Sequence, residues 1–421
     1  MSQERLQQLE DNEAYASYQA ELAFQKELNI LRNDFYYQMI DDSANISLVD
    51  FMYRPLDTLS GDAYSVRKID EHRTFYLLVD GMGKGVSASL TTITMTAFVN
   101  HLIDKMIEYE SFSLGILIQE AISFIQPILL EDEVLSIDFI YFNTYFKELE
   151  YAKFSMPPFL LQDSDDVIHK VKSNNLPLSK WTEEYKVESI NVQSIEKFLF
   201  YSDGIVENQI KDSPKETYAK YVEEDFKNSF TKEEFREKFF DKIAKQEDDL
   251  SLIFINPLPL NKDNLVEKKE FPTKLAVLED ANLWYEELLS SLEMDIKSVT
   301  KTSLVFTELM MNAYEHGNLG IDSQQKHIYM ESDQYFEKLQ ELEVNNKKKI
   351  GVEVYKLIEP HSTYIVTKIC DEGEGFDTQI LAQIFRNSKK FNGRGVFVSR
   401  KNSMGIYYNS KGNCVLYLTK I

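Results

Sequence analysis

Cysteine is nearly absent from this 421-residue chain, with Cys370 and Cys414 its only two. Two are too few for a disulfide framework or a cysteine-rich zinc site, which fits a reducing cytoplasm. The six histidines form no HExxH-like spacing, so zinc hydrolase chemistry has no ligand set. Glu4, Arg5, Glu10 and Asp11 interrupt the start, and no secretory signal is expected there. The longest stretch without charge, Val86–Ile103, contains eight Ser, Thr, Asn or His residues. It is expected to be a buried or half-buried helix, with no membrane involved. Basic charge is also scarce, 46 Lys and Arg against 69 Asp and Glu, a net −23. The deficit falls on residues 1–260, with 25 basic and 46 acidic side chains, whereas 261–421 carry 21 and 23. A field of that sign repels phosphate backbones, so nucleic acid is not expected as a partner of the first part unless metal ions intervene. The remainder can accept an anion such as a nucleotide.

What is present describes a folded protein of two or three domains, 43% apolar and 13% aromatic. Residues 2 to about 40 lack Gly and Pro and read as one long helix, with an imperfect stripe of Leu6, Leu9, Ala16, Ala20, Ala23, Ile30 and Tyr37. The segment 1–44 either packs on its own domain or serves as a dimerising or signalling helix, so a homodimer is one of its outcomes. Over 45–258, short β-rich runs alternate with helical stretches near 86–106, 113–126 and 231–246. Several of those runs are consecutive, which favours an α+β layered domain over a doubly wound one. The segment NPLPLNKDN, 256–264, closes this domain, and 259–267 is expected to be a linker. Residues 268–421 open with helix (275–316), continue through a charged amphipathic stretch (331–349) and end on strands.

Glycines locate the chemistry. Eleven of the fifteen sit in six tight clusters, usually beside Asp, Asn or Glu, where backbone can approach a ligand. Four Asp-containing turns stand out in the first part: SGDAY (Asp62), LLVDGMGKG (Asp80), FYSDGIVE (Asp203) and EDDLSLI (Asp248, Asp249). Three directly follow or precede a β-rich run, so their carboxylates lie at strand ends. Oxygen donors without His or Cys suit Mg²⁺ or Mn²⁺. The spacing G-x-G-x-G of Gly81, Gly83 and Gly85 differs from the dinucleotide fingerprint. Lys84 in this turn is either a solvated residue or a cation for substrate phosphate.

The order of these motifs resembles the PPM-type metal-dependent serine/threonine phosphatases, in particular the bacterial sporulation stage II E-like branch. The resemblance implies a layered αββα domain in which Asp62 and Asp80 bridge two Mn²⁺ or Mg²⁺ ions and act as the catalytic carboxylates. It adds the Gly81 carbonyl, Asp203, Asp248 and Asp249 to the ion sites. Ala63, Ser65, Lys84 and the segment FSMPPF (154–159) depart from the family pattern, and none of these changes removes a metal ligand.

In the second part, FTELMMNAYEHGNLGI places Glu308, Asn312 and His316 on one helix face. CDEGEGF then brings Asp371, Gly373 and Gly375, and NGRGVF brings Gly393, Arg394 and Gly395. The set resembles the GHKL-type ATPase fold, an α/β sandwich, and more narrowly the anti-sigma factor serine kinases. The resemblance implies Asn312 as Mg²⁺ ligand to ATP, Glu308 as general base toward a serine hydroxyl, and Asp371 as acceptor for the adenine amino group. Gly373, Gly375, Gly393, Arg394 and Gly395 then line the nucleotide. Together the two resemblances imply a partner-switching regulator acting on a STAS-domain anti-sigma factor antagonist, with a sigma factor or an upstream sensor as further candidate partners. Three readings follow: a bifunctional phosphatase and kinase, a phosphatase whose ATPase-like domain only senses nucleotide or sequesters a partner, or a non-catalytic binding switch.

Overall fold

The computed structural model describes residues 3–35, 38–42, 45–83, 85–378, 381 and 402–421. The chain forms two compact units, one built from 1–35 and 50–256 and the other from 36–49 and 257–421.

The first unit begins with the helix Gln3–Ile30, which ends ten residues before the helix expected from composition. The Asn33 side chain accepts the Phe35 amide at 2.9 Å, giving the backbone a local alternative to another helical turn. Leu31 and Phe35 are buried beyond that point, and the residue pair Arg32–Asn33 pairs in parallel with the strand Asp62–Lys68.

Two sheets make the centre of this unit. In the first, Asp62–Lys68, Arg73–Gly81, Val134–Asn143, Glu148–Phe154 and Glu188–Asn191 follow one another antiparallel. In the second, the part of Asn45–Arg54 from Asp50 onward is followed by Leu250–Leu258, Ile195–Tyr201, Phe159–Asp163 and Ile168–Val171. Aromatic rings meet between the sheets, with Tyr76 against Phe200 at 5.7 Å and Phe142 against Phe198 at 5.6 Å. The helices Val86–Glu108 and Leu114–Ile125 lie against the first sheet. Val222–Lys227 and Lys232–Lys242 cover the second through Phe226, Phe235 and Phe239 on Leu199, Leu252 and Phe254. The result is helix, sheet, sheet, helix, the layered α+β order read from the consecutive strand runs. By length and composition Val86–Glu108 could cross a membrane, and half of its most apolar window is buried within the protein.

The second unit is a fully antiparallel sheet in the order Leu265–Pro272, Lys349–Glu359, Ser362–Asp371, Cys414–Lys420, Gly405–Tyr408. Its first strand starts at Leu265, inside the stretch expected to be linker, because Leu265 and then, after a register shift at Val266, the consecutive residues Glu267–Pro272 pair with Lys349–Tyr355. Leu275–Ser291 and Ile296–Asn312 cover one face, with Tyr285 stacked on Phe306 at 4.1 Å. Of the segment 36–49, Gln38 pairs with Tyr408 and donates its amide to Thr378 within this unit. The cysteines, too few for a framework, still form one disulfide. Cys370 and Cys414 stand directly opposite in adjacent strands, Cα atoms 4.1 Å apart, and are joined.

Candidate functional site

In the first unit the four Asp turns gather at one end of the two sheets. Asp62 opens its strand and Asp80 closes the next, and the register sets them directly opposite one another. Asp203 begins the short helix Asp203–Glu207 after Ile195–Tyr201, and Asp248 precedes Leu250–Leu258, the neighbouring strand of the second sheet. Gly204 is obligatory there, since a Cβ would stand 1.9 Å from the Asp249 carbonyl oxygen.

These carboxylates act on one another electrostatically. Burial, then the charges of Asp62 and Asp203, push the Asp80 carboxyl up to about 10. Asp62 is 3% exposed, and burial raises it well above the carboxylate range against the hydroxyls of Ser202 and Ser251, with Asp249 and Asp203 adding to the rise. The Ser202 hydroxyl donates to Asp62 Oδ2 at 2.6 Å. Among the described residues no three acidic, His or Cys side chains close into a coordination shell by themselves. The donor set is nevertheless all oxygen, carboxylates with the Gly81 carbonyl beside them, which fits Mg²⁺ or Mn²⁺.

Asp249, expected as a further ligand, also holds backbone. Its Oδ1 accepts the Leu56 amide and its Oδ2 the Gly61 amide, both at 2.6 Å. Both oxygens thus hold the loop that leads into Asp62. Ser202 and Asp249 in this role were not singled out from sequence, and the only hint was their position next to Asp203 and Asp248. Lys84 lies outside the described residues.

In the second unit, Glu308 and Asn312 are half-buried near the end of Ile296–Asn312, which continues as a single π-helical stretch, Ala313–Asn318. Such stretches are frequent at functional sites. Gly317 lets Asp371 come close, since a Cβ there would sit 2.3 Å from the Asp371 Cγ. Asp371 Oδ1 accepts the Gly373 amide at 2.8 Å, and Asn413 Nδ2 donates to the Asp371 carbonyl at 3.0 Å. Lys411 Nζ donates to the Gly373 carbonyl at 3.0 Å. Burial pushes Asp371 up to about 6, against the Gly373 amide and the cations of Lys348 and Lys411. Both Glu308 and Asp371 raise the buried Tyr408 hydroxyl after burial itself, so both lie within electrostatic reach of it. Gly375 turns back at positive φ beside Lys411. His316 is exposed and hydrogen-bonds the Ile321 carbonyl. Gly393, Arg394 and Gly395 lie outside the described residues.

Residues 70–257 match the family model for stage II sporulation protein E, and residues 271–418 match that of the histidine kinase-like ATPase domain. The chain therefore joins a stage II sporulation protein E type of PPM phosphatase domain to a histidine-kinase-like ATPase domain. Among individual proteins, the phosphoserine phosphatase RsbP of Bacillus subtilis (strain 168) is 24% identical over 188 residues, covering 42% of this chain and 43% of that protein. The chain thus spans less than half the length of this curated relative. Among solved structures, the RsbU and RsbW domains of Rv1364c from Mycobacterium tuberculosis share 13% identity at a TM-score of 0.45, over 89% of this chain and 94% of that one. The SiaA-PP2C domain of Pseudomonas aeruginosa shares 14% at 0.46, over 58% of this chain and 98% of that one.

Proposed function

We propose that the first unit is a metal-dependent protein phosphatase that removes phosphate from a serine or threonine of a protein partner. The observation that carries this reading is the gathering of Asp62, Asp80, Asp203 and Asp248 from four separate chain segments at one sheet end. Asp62, Asp80, Asp203 and Asp248, with the Gly81 carbonyl, hold the cations. Two Mn²⁺ or Mg²⁺ ions, when bound, supply the activation of water and the charge neutralisation that phosphoryl transfer needs. The chain orients Asp62 through Ser202 and keeps the carboxylates in a water-poor sheet end, where their charge is costly until cations arrive. Met82, Val86 and Leu90 are exposed apolar residues beside Asp80, 52%, 73% and 66% accessible, and suit a protein surface better than a small phosphate ester.

For the second unit we propose ATP binding with Mg²⁺. Asp371 accepts from the adenine amino group, Asn312 ligates Mg²⁺ against the phosphates, and Glu308 takes the proton of a serine hydroxyl. That the charges of Glu308 and Asp371 both act on the buried Tyr408 hydroxyl supports a single site. The substrate class the sequence resemblance implies, a STAS-domain anti-sigma factor antagonist, is adopted for both activities, as is action in the cytoplasm. The name of the RsbP relative, a phosphoserine phosphatase, agrees with the first activity.

Two incubations test this reading: phosphorylated STAS partner with Mn²⁺, and unphosphorylated partner with Mg·ATP. Loss of phosphate in the first and gain in the second is the expected outcome. Asp80→Ala should abolish the first and spare the second, and Asn312→Ala the reverse. Loss in the first without gain in the second would leave a phosphatase carrying a nucleotide-sensing domain, and neither change would leave a binding switch.

A further inference from the structure

The N-terminal helix carries a carboxylate that helix packing does not call for. Glu27, in the last turn of Gln3–Ile30, is 1% exposed. Its Oε1 accepts the Tyr53 hydroxyl at 2.7 Å and the Ser60 amide at 3.1 Å, while Oε2 is buried without a hydrogen-bond partner. Burying a carboxylate with one oxygen unpaired opposes folding, and an apolar residue would fill the same place without that penalty. Both groups bonded to Glu27 lead to Asp62. Ser60 is fully buried, and its hydroxyl accepts the Asp62 amide at 3.1 Å. The Tyr53 hydroxyl also stands 3.3 Å from the Asp62 carbonyl oxygen. From elsewhere in the fold, Asp249 takes the Gly61 amide. The backbone of residues 60–62 is therefore held by two buried carboxylates, one from the helix and one from the strand end.

We propose that Glu27 is a positioning residue for the metal centre: through Ser60 and Tyr53 it fixes the backbone that sets Asp62 across from Asp80, and so determines how tightly the first unit holds divalent cations. The proposal rests on the phosphatase reading in taking Asp62 as a cation ligand. Groups that orient metal ligands from behind typically change metal affinity by about 10- to 100-fold when removed.

The test is a calorimetric titration of the full chain with Mn²⁺ alone, which reads binding without turnover. Glu27→Ala should weaken Mn²⁺ binding about tenfold, and Tyr53→Phe about threefold. Glu27→Gln keeps an acceptor at Oε1 and should bind within about threefold of the natural chain. Unfolding midpoints in EDTA establish that each variant is folded; if Glu27→Ala is not, Tyr53→Phe carries the test. A folded Glu27→Ala or Tyr53→Phe that binds Mn²⁺ as the natural chain does overturns the proposal. So does Glu27→Gln binding as weakly as Glu27→Ala. A natural chain that binds Mn²⁺ but leaves phosphoserine substrates untouched overturns the phosphatase reading alone, and one that binds no Mn²⁺ overturns both.

Discussion

Lys153 and Asp138 show what a buried charge does when it serves no site. They face each other across adjacent strands, 1% and 0% exposed, with Nζ 2.7 and 3.0 Å from the two carboxylate oxygens. Lys153→Met should destabilise the chain by about 3–5 kcal/mol in urea unfolding, because it strands the Asp138 charge, and adding Asp138→Asn should recover much of the loss. Asp371 offers a test by pH. Its carboxyl is raised to about 6 by burial, so its contribution to stability is complete below the ordinary carboxylate range and disappears as pH rises through 6. Nucleotide binding runs in the opposite sense, since the ionised carboxylate is the stronger acceptor. ADP affinity measured without metal should rise between pH 5 and 7.5, by about tenfold, and the rise should vanish in Asp371→Asn. At this scale the sequence exposed Asp62, Asp80, Asp203, Asp248 and Asp371, because each sits in a short Asp-Gly or strand-end motif. Glu27, Ser202 and the clamp made by Asp249 stayed hidden, since each acts through partners 26 to 193 positions away.

At the scale of elements, strand runs and the helices at 86–108 and 114–125 were legible from hydrophobic pattern, and the ends of these two helices shifted by two residues or fewer, whereas the helix expected at 231–246 ends at Lys242. The first helix ran long in expectation because composition carries no mark at Ile30, where an Asn side chain turns the backbone. The strand from Leu265 was hidden by its charge, LVEKKEFP, an exposed edge strand whose partner lies about 90 residues on. The helix Val86–Glu108 presents Val86 and Leu90 one turn apart to solvent. Leu90→Glu should raise the KM for a phosphoprotein several-fold while leaving p-nitrophenyl phosphate hydrolysis unchanged, if this face meets the partner. Gly317 lies in the π-helical stretch against Asp371, and Gly317→Ala should remove ADP binding by displacing Asp371.

For the whole molecule, two sites fall in two stretches of unequal charge, −21 over residues 1–260 and −2 over 261–421. Chelation should separate them: EDTA should stop dephosphorylation while metal-free ADP still binds. The central claim is that carboxylates from four distant segments of the first unit hold divalent cations together. Anomalous scattering from crystals grown in MnCl₂ tests it most directly. Manganese peaks bounded by Asp62, Asp80, Asp203 and Asp248 are expected; manganese bound only elsewhere, or none, would refute the claim.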